Sequence, residues 1–112
     1  MKPIVLKAKD TEYTLEFNRE SVKFAEQRGF KFEDVRDFPM SKIPELFFYA
    51  FRMHHKNVAR DKTDKILEEL GGLPEGFLER LIELYTAPFD FLTIVNEEEG
   101  EERKNSKWTV EM

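Results

Sequence analysis

Apolar and polar residues alternate along the first part of the chain. The alternating apolar positions fall into two short sets, Ile4, Leu6 and Ala8, then Tyr13, Leu15 and Phe17. A period of two is typical of half-buried strands. The link between the sets, residues 9–11, is short and polar, as a hairpin requires. The pattern therefore predicts an N-terminal β-hairpin.

The period changes to that of a helix after Asn18. Asparagine is a good N-cap because its side chain accepts a hydrogen bond from an amide of the first turn. Gly29 is expected to end this helix in the left-handed conformation, and Phe30 to contact the last turn near Ala25. The segment 18–29 therefore predicts the first helix.

A single further helical turn is predicted for residues 32–38, and Pro39 is expected to end it. Its apolar residues would share the inner side: Phe32, Val35 and Phe38. Ser41 is then predicted to cap the third helix, with Pro44 tolerated in the first turn.

The third helix has a clear apolar stripe, formed by Ile43, Leu46, Phe47, Ala50 and His54 and widened by Phe51. Phe48, Tyr49 and Met53 lie off that stripe, so this helix is apolar on more than one side. Such a helix is either central in a fold or in contact with a partner. We therefore predict that some of these three residues bind a partner or a second copy.

Two more helices follow, the first over 61–70 and the second after Pro74. Gly71 is expected to close the former, and Pro88 to kink or break the latter near residues 86 and 87. The resulting fold class is α-rich (α+β), a hairpin followed by four to five helices in a single domain, residues 1–96.

Residues 97–112 are predicted to form a flexible acidic tail. Its last seven residues, "SKWTVEM", alternate again. Trp108 and Val110 are therefore further partner-binding candidates, because such a segment can add to a sheet edge of this or another molecule.

Composition and charge exclude several classes of function. The 112 residues contain no cysteine, which rules out a disulfide framework and a thiolate zinc site. The net charge is −5, and the five glutamates of 97–102 account for it, so the body is neutral and nucleic-acid binding is disfavoured. The longest apolar run, residues 46–51, is far too short to span a membrane. With no targeting segment visible, we expect a cytoplasmic protein.

The two histidines are adjacent, at His54 and His55. Neighbours on a helix point about 100° apart, so they cannot easily share a metal ion. The positions four residues further on are Val58 and Ala59, which are not ligands. We therefore predict that the pair caps the end of the third helix, with His54 continuing the apolar stripe and His55 facing outward.

The sequence predicts neither a cofactor nor a catalytic set. "GGLPEGF" has the glycine spacing of a phosphate loop, but Phe77 stands where the lysine is required. The serines lie at helix starts or in the tail, and none is in a Gly-x-Ser-x-Gly turn. A non-catalytic binding protein is the expectation.

The order of features resembles that of a known family. A short hairpin leads to "FNRESVKFAEQRGF", then to the aromatic-rich "ELFFYAFRMHHKN", to "LGGLPEGFLERLIELY" and to an acidic tail ending in "KWTVEM". This order is similar to that of the tail assembly chaperones of long-tailed phages and prophages of Gram-positive bacteria, over most of the chain. The individual motifs are degenerate.

The resemblance implies a small, mostly helical protein that coats the tape measure protein before the tail tube is built. Such proteins are absent from the finished virion. Many also exist in a longer, frameshifted form whose extension recruits the tail tube protein. Residues 103–105, "RKN", can be encoded by a string containing the slippery heptamer A-AAA-AAC, although lysine and asparagine are also common in solvated tails. Self-association along the rod-like tape measure protein would suit a protein that coats it.

An enzyme or metal protein that uses the two histidines is the lowest-ranked alternative, and metal analysis of the purified protein tests it. Another class of binding protein also stays open from the residues alone. A small helical adaptor or regulator, such as an antitoxin-like protein, would use the acidic arm to mimic nucleic acid or to cover a basic partner. The gene neighbourhood distinguishes the two, because a chaperone of this kind lies between a tail tube frame and a very long tape measure frame.

Overall fold

Two short strands, five helices and a final 3-10 helix make up the part of the chain that the computed structural model describes, residues 2–8, 10–92 and 111. In chain order they are β1 (Ile4–Lys7), β2 (Glu12–Leu15), α1 (Arg19–Gln27), α2 (Asp34–Asp37), α3 (Pro39–Ala50), α4 (Arg60–Leu70), α5 (Phe77–Thr86) and the 3-10 helix (Ala87–Phe91). The predicted α-rich fold with an N-terminal hairpin is confirmed. The predicted tail, residues 97–112, lies outside the described residues except for Glu111.

The hairpin forms where the alternation predicts it. β1 and β2 pair antiparallel with Ile4 opposite Leu15. The Ala8 amide donates to the Thr11 carbonyl over 2.7 Å and closes the turn. Leu15 is fully buried, so one face of this two-stranded sheet packs on the helices.

One edge of the hairpin is attached to the segment around the end of α3. The Thr14 amide donates to Nε2 of His55 over 2.9 Å, and the Glu16 amide donates to the Ala50 carbonyl over 3.1 Å. Amides of successive residues on a strand point to opposite sides, so the amides of Thr14 and Glu16, two positions apart, point to the same side, away from β1. We refer to this pair of hydrogen bonds as the hairpin junction.

Local interactions define both ends of α1, as the sequence predicts. Asn18 Oδ1 accepts from the Ser21 amide at 2.8 Å, and the Asn18 amide donates to Ser21 Oγ at 2.9 Å, which forms a capping box. Gly29 has a φ of +91°, and the Phe30 amide donates to the Ala25 carbonyl over 3.0 Å. This is the hydrogen bond of a Schellman motif, and Phe30 is buried, as expected from its predicted contact.

The start of α3 differs from the prediction. The helix begins at Pro39, not after a cap at Ser41, because the fixed φ of proline suits the first helical position. Phe38 is therefore the single residue between α2 and α3, and it is 59% exposed instead of facing inward. Pro44 consequently lies inside the helix, where it has no amide to donate to the Met40 carbonyl.

α3 is the central element, and it packs against α1, α2, α4 and α5. It ends at Ala50, so residues 51–57 form turns instead of the predicted helical continuation. The largest fully buried side chains come from β2, from α3 and the turn after it, from α4 and from α5: Leu15, Leu46, Phe47, Phe51, Thr63, Leu81 and Tyr85.

The last two helices end where the sequence predicts, although α5 begins at Phe77 and not directly after Pro74. Gly71 ends α4 in the left-handed conformation with a φ of +73°. Pro88 converts the end of the last helical segment into the 3-10 helix, so the predicted break near residues 86 and 87 is confirmed. Tyr85, just before the break, is 1% exposed and lies among aromatic rings.

Candidate partner-binding surface

The two histidines fasten the hairpin to the turn after α3. His55 Nε2 accepts the Thr14 amide, which places the proton of the neutral ring on Nδ1. The His55 ring also meets Tyr13 edge-on, with centroids 5.2 Å apart. His54 Nε2 lies 2.8 Å from Glu16 Oε1. Both histidines therefore contact the end of β2.

The predicted directions of the two rings are reversed. His54 is exposed and His55 is half-buried, because α3 ends at Ala50 and the residues after it no longer follow helical spacing. Neither ring bonds a helix-end carbonyl, so the capping prediction is corrected. Among residues 2–8, 10–92 and 111, no group of three or more histidine, aspartate or glutamate side chains is placed to hold a metal ion.

The predicted partner-binding residues that the structure describes, Phe48, Tyr49 and Met53, differ in exposure. Tyr49 is 7% exposed, which corrects the expectation that it lies at the surface. Its ring meets Phe30 at 5.6 Å and Phe24 at 6.1 Å, because α1 and its C-cap cover that side of α3. Phe48 and Met53 are half-buried. Trp108 and Val110 lie outside the described residues.

The surface beside Met53 is polar. The Arg52 guanidinium lies 3.9 Å from the centroid of the Phe24 ring, and that of Arg28 lies 4.5 Å from it. Cations over an aromatic ring are attracted by its negative faces. The hollow that Met53 lines is otherwise formed mainly by polar and charged side chains, including Lys23 and Lys56. This side of the protein is therefore not an apolar docking surface.

An open apolar groove lies on another side, between α2, the start of α3, α5 and the α4–α5 connection. It consists of two adjoining hollows of about 690 and 550 Å³ that share Pro39, Ile43 and Leu78. The first hollow is extended by Phe32, Val35 and Ile82, and the second by Met40, Leu67 and Leu73. We call this feature the apolar groove.

Two local features leave the apolar groove open. α2 is only four residues long and cannot cover the neighbouring helices. The connection from α4 to α5 contributes small or rigid residues to the second hollow, namely Gly72, Pro74 and Gly76. Met40, at the edge of the groove, is 90% exposed. A large apolar side chain so exposed beside an apolar hollow is typical of an interaction site.

Charged residues surround the groove. Glu33, Arg36 and Asp37 line the first hollow, and Glu75 and Glu79 line the second. All five are exposed. The groove therefore combines an apolar floor with a predominantly acidic rim.

The sequence pattern did not indicate this groove. In the segment "DFPMSKIP" the pattern predicts the end of one turn and the cap of the next helix, which gives Met40 no role. One feature of the sequence could have indicated an exposed apolar surface here. Two large apolar residues, Phe38 and Met40, stand on either side of Pro39, and both are exposed.

The fold and this surface together define a small helical domain with an N-terminal hairpin and, among the described residues, an apolar groove open to solvent. The chain belongs to the family described as "Domain of unknown function (DUF5055)", whose match covers residues 2–112. No curated protein and no solved structure matches the chain. Within the described residues, no helix is both long and apolar enough to cross a membrane.

Proposed function

We propose that this protein is a non-catalytic tail assembly chaperone of a long-tailed phage or prophage of Gram-positive bacteria, and that it binds the tape measure protein during tail morphogenesis. The order of hairpin, capped helix, aromatic-rich helix and acidic tail supports this proposal through the family resemblance. In this role the protein acts in the host cytoplasm, self-associates along the tape measure rod and is absent from the finished virion.

The observation that carries the proposal is the apolar groove beside the 90% exposed Met40. A tape measure protein is long and largely helical. An amphipathic helix binds in such a groove through apolar residues at spacings of three and four. A rod coated before its tube exists also needs many equivalent weak contacts, for which an open groove is better suited than a deep pocket.

Co-expression with the tape measure protein encoded by the same genome tests the proposal. We expect the tagged protein to retain the tape measure protein on an affinity column. Met40→Glu should weaken retention at least about tenfold, because it places a charge at the edge of an apolar interface. Val5→Glu is the matched control, since Val5 is also exposed, at 47%, and does not line the groove.

Two outcomes would overturn the proposal. One is that the affinity column retains no more tape measure protein with the tagged protein than without it. The other is a gene neighbourhood with no tail tube or tape measure frame. Either result would leave the adaptor or regulatory class as the better assignment.

A further inference from the structure

The acidic rim of the apolar groove stands out against an otherwise neutral body. The net charge of the chain is −5, and residues 97–102 carry five glutamates, so the rest of the chain has no net charge. Around the groove, however, four carboxylates accompany one guanidinium. The imbalance is greater at the second hollow, where Glu75 and Glu79 have no neighbouring cation among the lining residues, whereas Arg36 offsets part of the charge at the first.

These rim carboxylates are not used inside the protein. Within the described part of the chain, the ion pairs join Lys42 to Glu45, His54 to Glu16, Arg60 to Asp64 and Arg80 to Glu83. None of them includes a rim carboxylate. A partner that brings positive charge to both sides of the groove would therefore find acceptors that no internal cation occupies.

We propose that the apolar groove binds a cationic amphipathic helix, whose apolar stripe enters the two hollows and whose flanking lysines or arginines reach the rim. This inference rests on the proposed function, because it specifies the chemistry of the tape measure segment that the groove recognises. Charge complementarity of this kind steers encounter and fixes the orientation of a bound helix.

The two adjoining hollows can each accept one anchor of such a helix. Anchors at positions i and i+7 lie on the same face of a helix, about 10 Å apart along its axis. One anchor would contact Phe32 and Ile82 in the first hollow, and the other would contact Leu67 and Leu73 in the second. Met40 at the edge supplies an adaptable, polarizable side chain that accepts anchors of different shape.

Two other occupants fit less well. The chain's own acidic stretch, residues 97–102, carries five glutamates and would be repelled by the rim. A second copy docked groove to groove about a two-fold axis would place one acidic rim against the other, which like-charge repulsion opposes. A stable dimer formed through the groove is an outcome that the experiment can reveal.

Three synthetic helical peptides test the inference on the full-length protein. The first carries an apolar stripe of leucine and methionine flanked by lysines, the second the same stripe flanked by glutamates, and the third the composition of the first in scrambled order. Binding is measured by fluorescence anisotropy of labelled peptides at low and high salt. We expect the lysine-flanked peptide to bind about tenfold more tightly than the glutamate-flanked one at low salt, and the difference to shrink at about 1 M salt.

Charge-reversal variants then show which carboxylates cause the preference for the lysine-flanked peptide. The double change Glu75→Lys and Glu79→Lys should weaken the lysine-flanked peptide about tenfold at low salt and remove its advantage over the glutamate-flanked peptide. The matched control changes Glu68→Lys and Glu69→Lys, which are exposed on α4 and do not line the groove. This control should leave the advantage in place.

The results separate this inference from the proposed function. Equal binding of the three peptides, or no binding of any, would overturn the inference, and so would the formation of stable dimers through the groove. Retention of the tape measure protein in that case would leave the chaperone proposal standing. Tight binding of the lysine-flanked peptide without retention of the tape measure protein would instead support the groove chemistry and overturn the phage assignment.

Discussion

Tyr85 makes the stability of this protein sensitive to alkaline pH. Four phenylalanine rings lie within 6 Å of its centroid, those of Phe17, Phe30, Phe32 and Phe89. Burial raises the pKa of Tyr85 from 10.0 to about 12, and the carboxylates of Glu26 and Glu33 add to the rise. The test substitution is Tyr85→Phe, which keeps the ring and removes the ionisable group.

The direction of the pH effect follows from proton binding. The folded state keeps the Tyr85 proton up to a pH of about 12, whereas the unfolded state loses it near 10.0. Between these values the unfolded state binds fewer protons, so the free energy of unfolding falls as pH rises. The contribution is fully present below the lower pKa. At about 1.4 kcal/mol per pKa unit, the loss across the window is about 2–3 kcal/mol.

Urea unfolding followed by far-ultraviolet circular dichroism measures the effect. The free energy of unfolding is determined for the wild type and for Tyr85→Phe at neutral pH and at several values up to about 12. We expect the two proteins to differ little at neutral pH, and the wild type to lose about 2–3 kcal/mol relative to the variant at the upper end. The comparison removes the contributions of lysines and other groups, which titrate in both proteins.

Parallel pH profiles would refute this reasoning. If the stability difference between the two proteins is constant from neutral to alkaline pH, the Tyr85 hydroxyl ionises as readily in the folded as in the unfolded state. The aromatic cluster would then not exclude solvent from it.

Four further substitutions have defined outcomes. Asn18→Ala removes the capping box and should lower the free energy of unfolding by about 1 kcal/mol in urea titrations, and an unchanged midpoint would contradict it. Tyr49→Glu should unfold the protein because it buries a charge, whereas Met53→Glu should change stability by less than about 1 kcal/mol; similar melting curves for both would show the assigned burial to be wrong. His55→Ala deprives the Thr14 amide of its acceptor and should cost about 1–2 kcal/mol, and hydrogen exchange at Thr14 as slow as in the wild type would speak against that bond.

Elements determined by local chemistry could be predicted from the sequence. The ends of α1 follow from the side chain of Asn18 and from the left-handed Gly29, and both interactions join residues at most five positions apart. The break after α5 follows in the same way from Pro88. Such features depend on a few neighbouring residues, so a single sequence is sufficient to locate them.

Features that depend on distant residues could not be predicted in this way. The burial of Tyr49 results from Phe24 and Phe30 of another element, and periodicity within α3 contains no information about them. The apolar groove likewise results from the short length of α2 and from the small or rigid residues of the α4–α5 connection. Hydrophobic spacing shows which residues are apolar, and tertiary packing decides which of them remain at the surface.

The hairpin junction has a consequence for the order of folding. It joins Thr14 to His55, 41 positions along the chain. Closing a loop of that size costs about 3 kcal/mol of chain entropy, so the hairpin attaches favourably only after α3 and its following turn exist. The junction should therefore be absent from the folding transition state. Weakening it would then accelerate unfolding and leave the folding rate nearly unchanged.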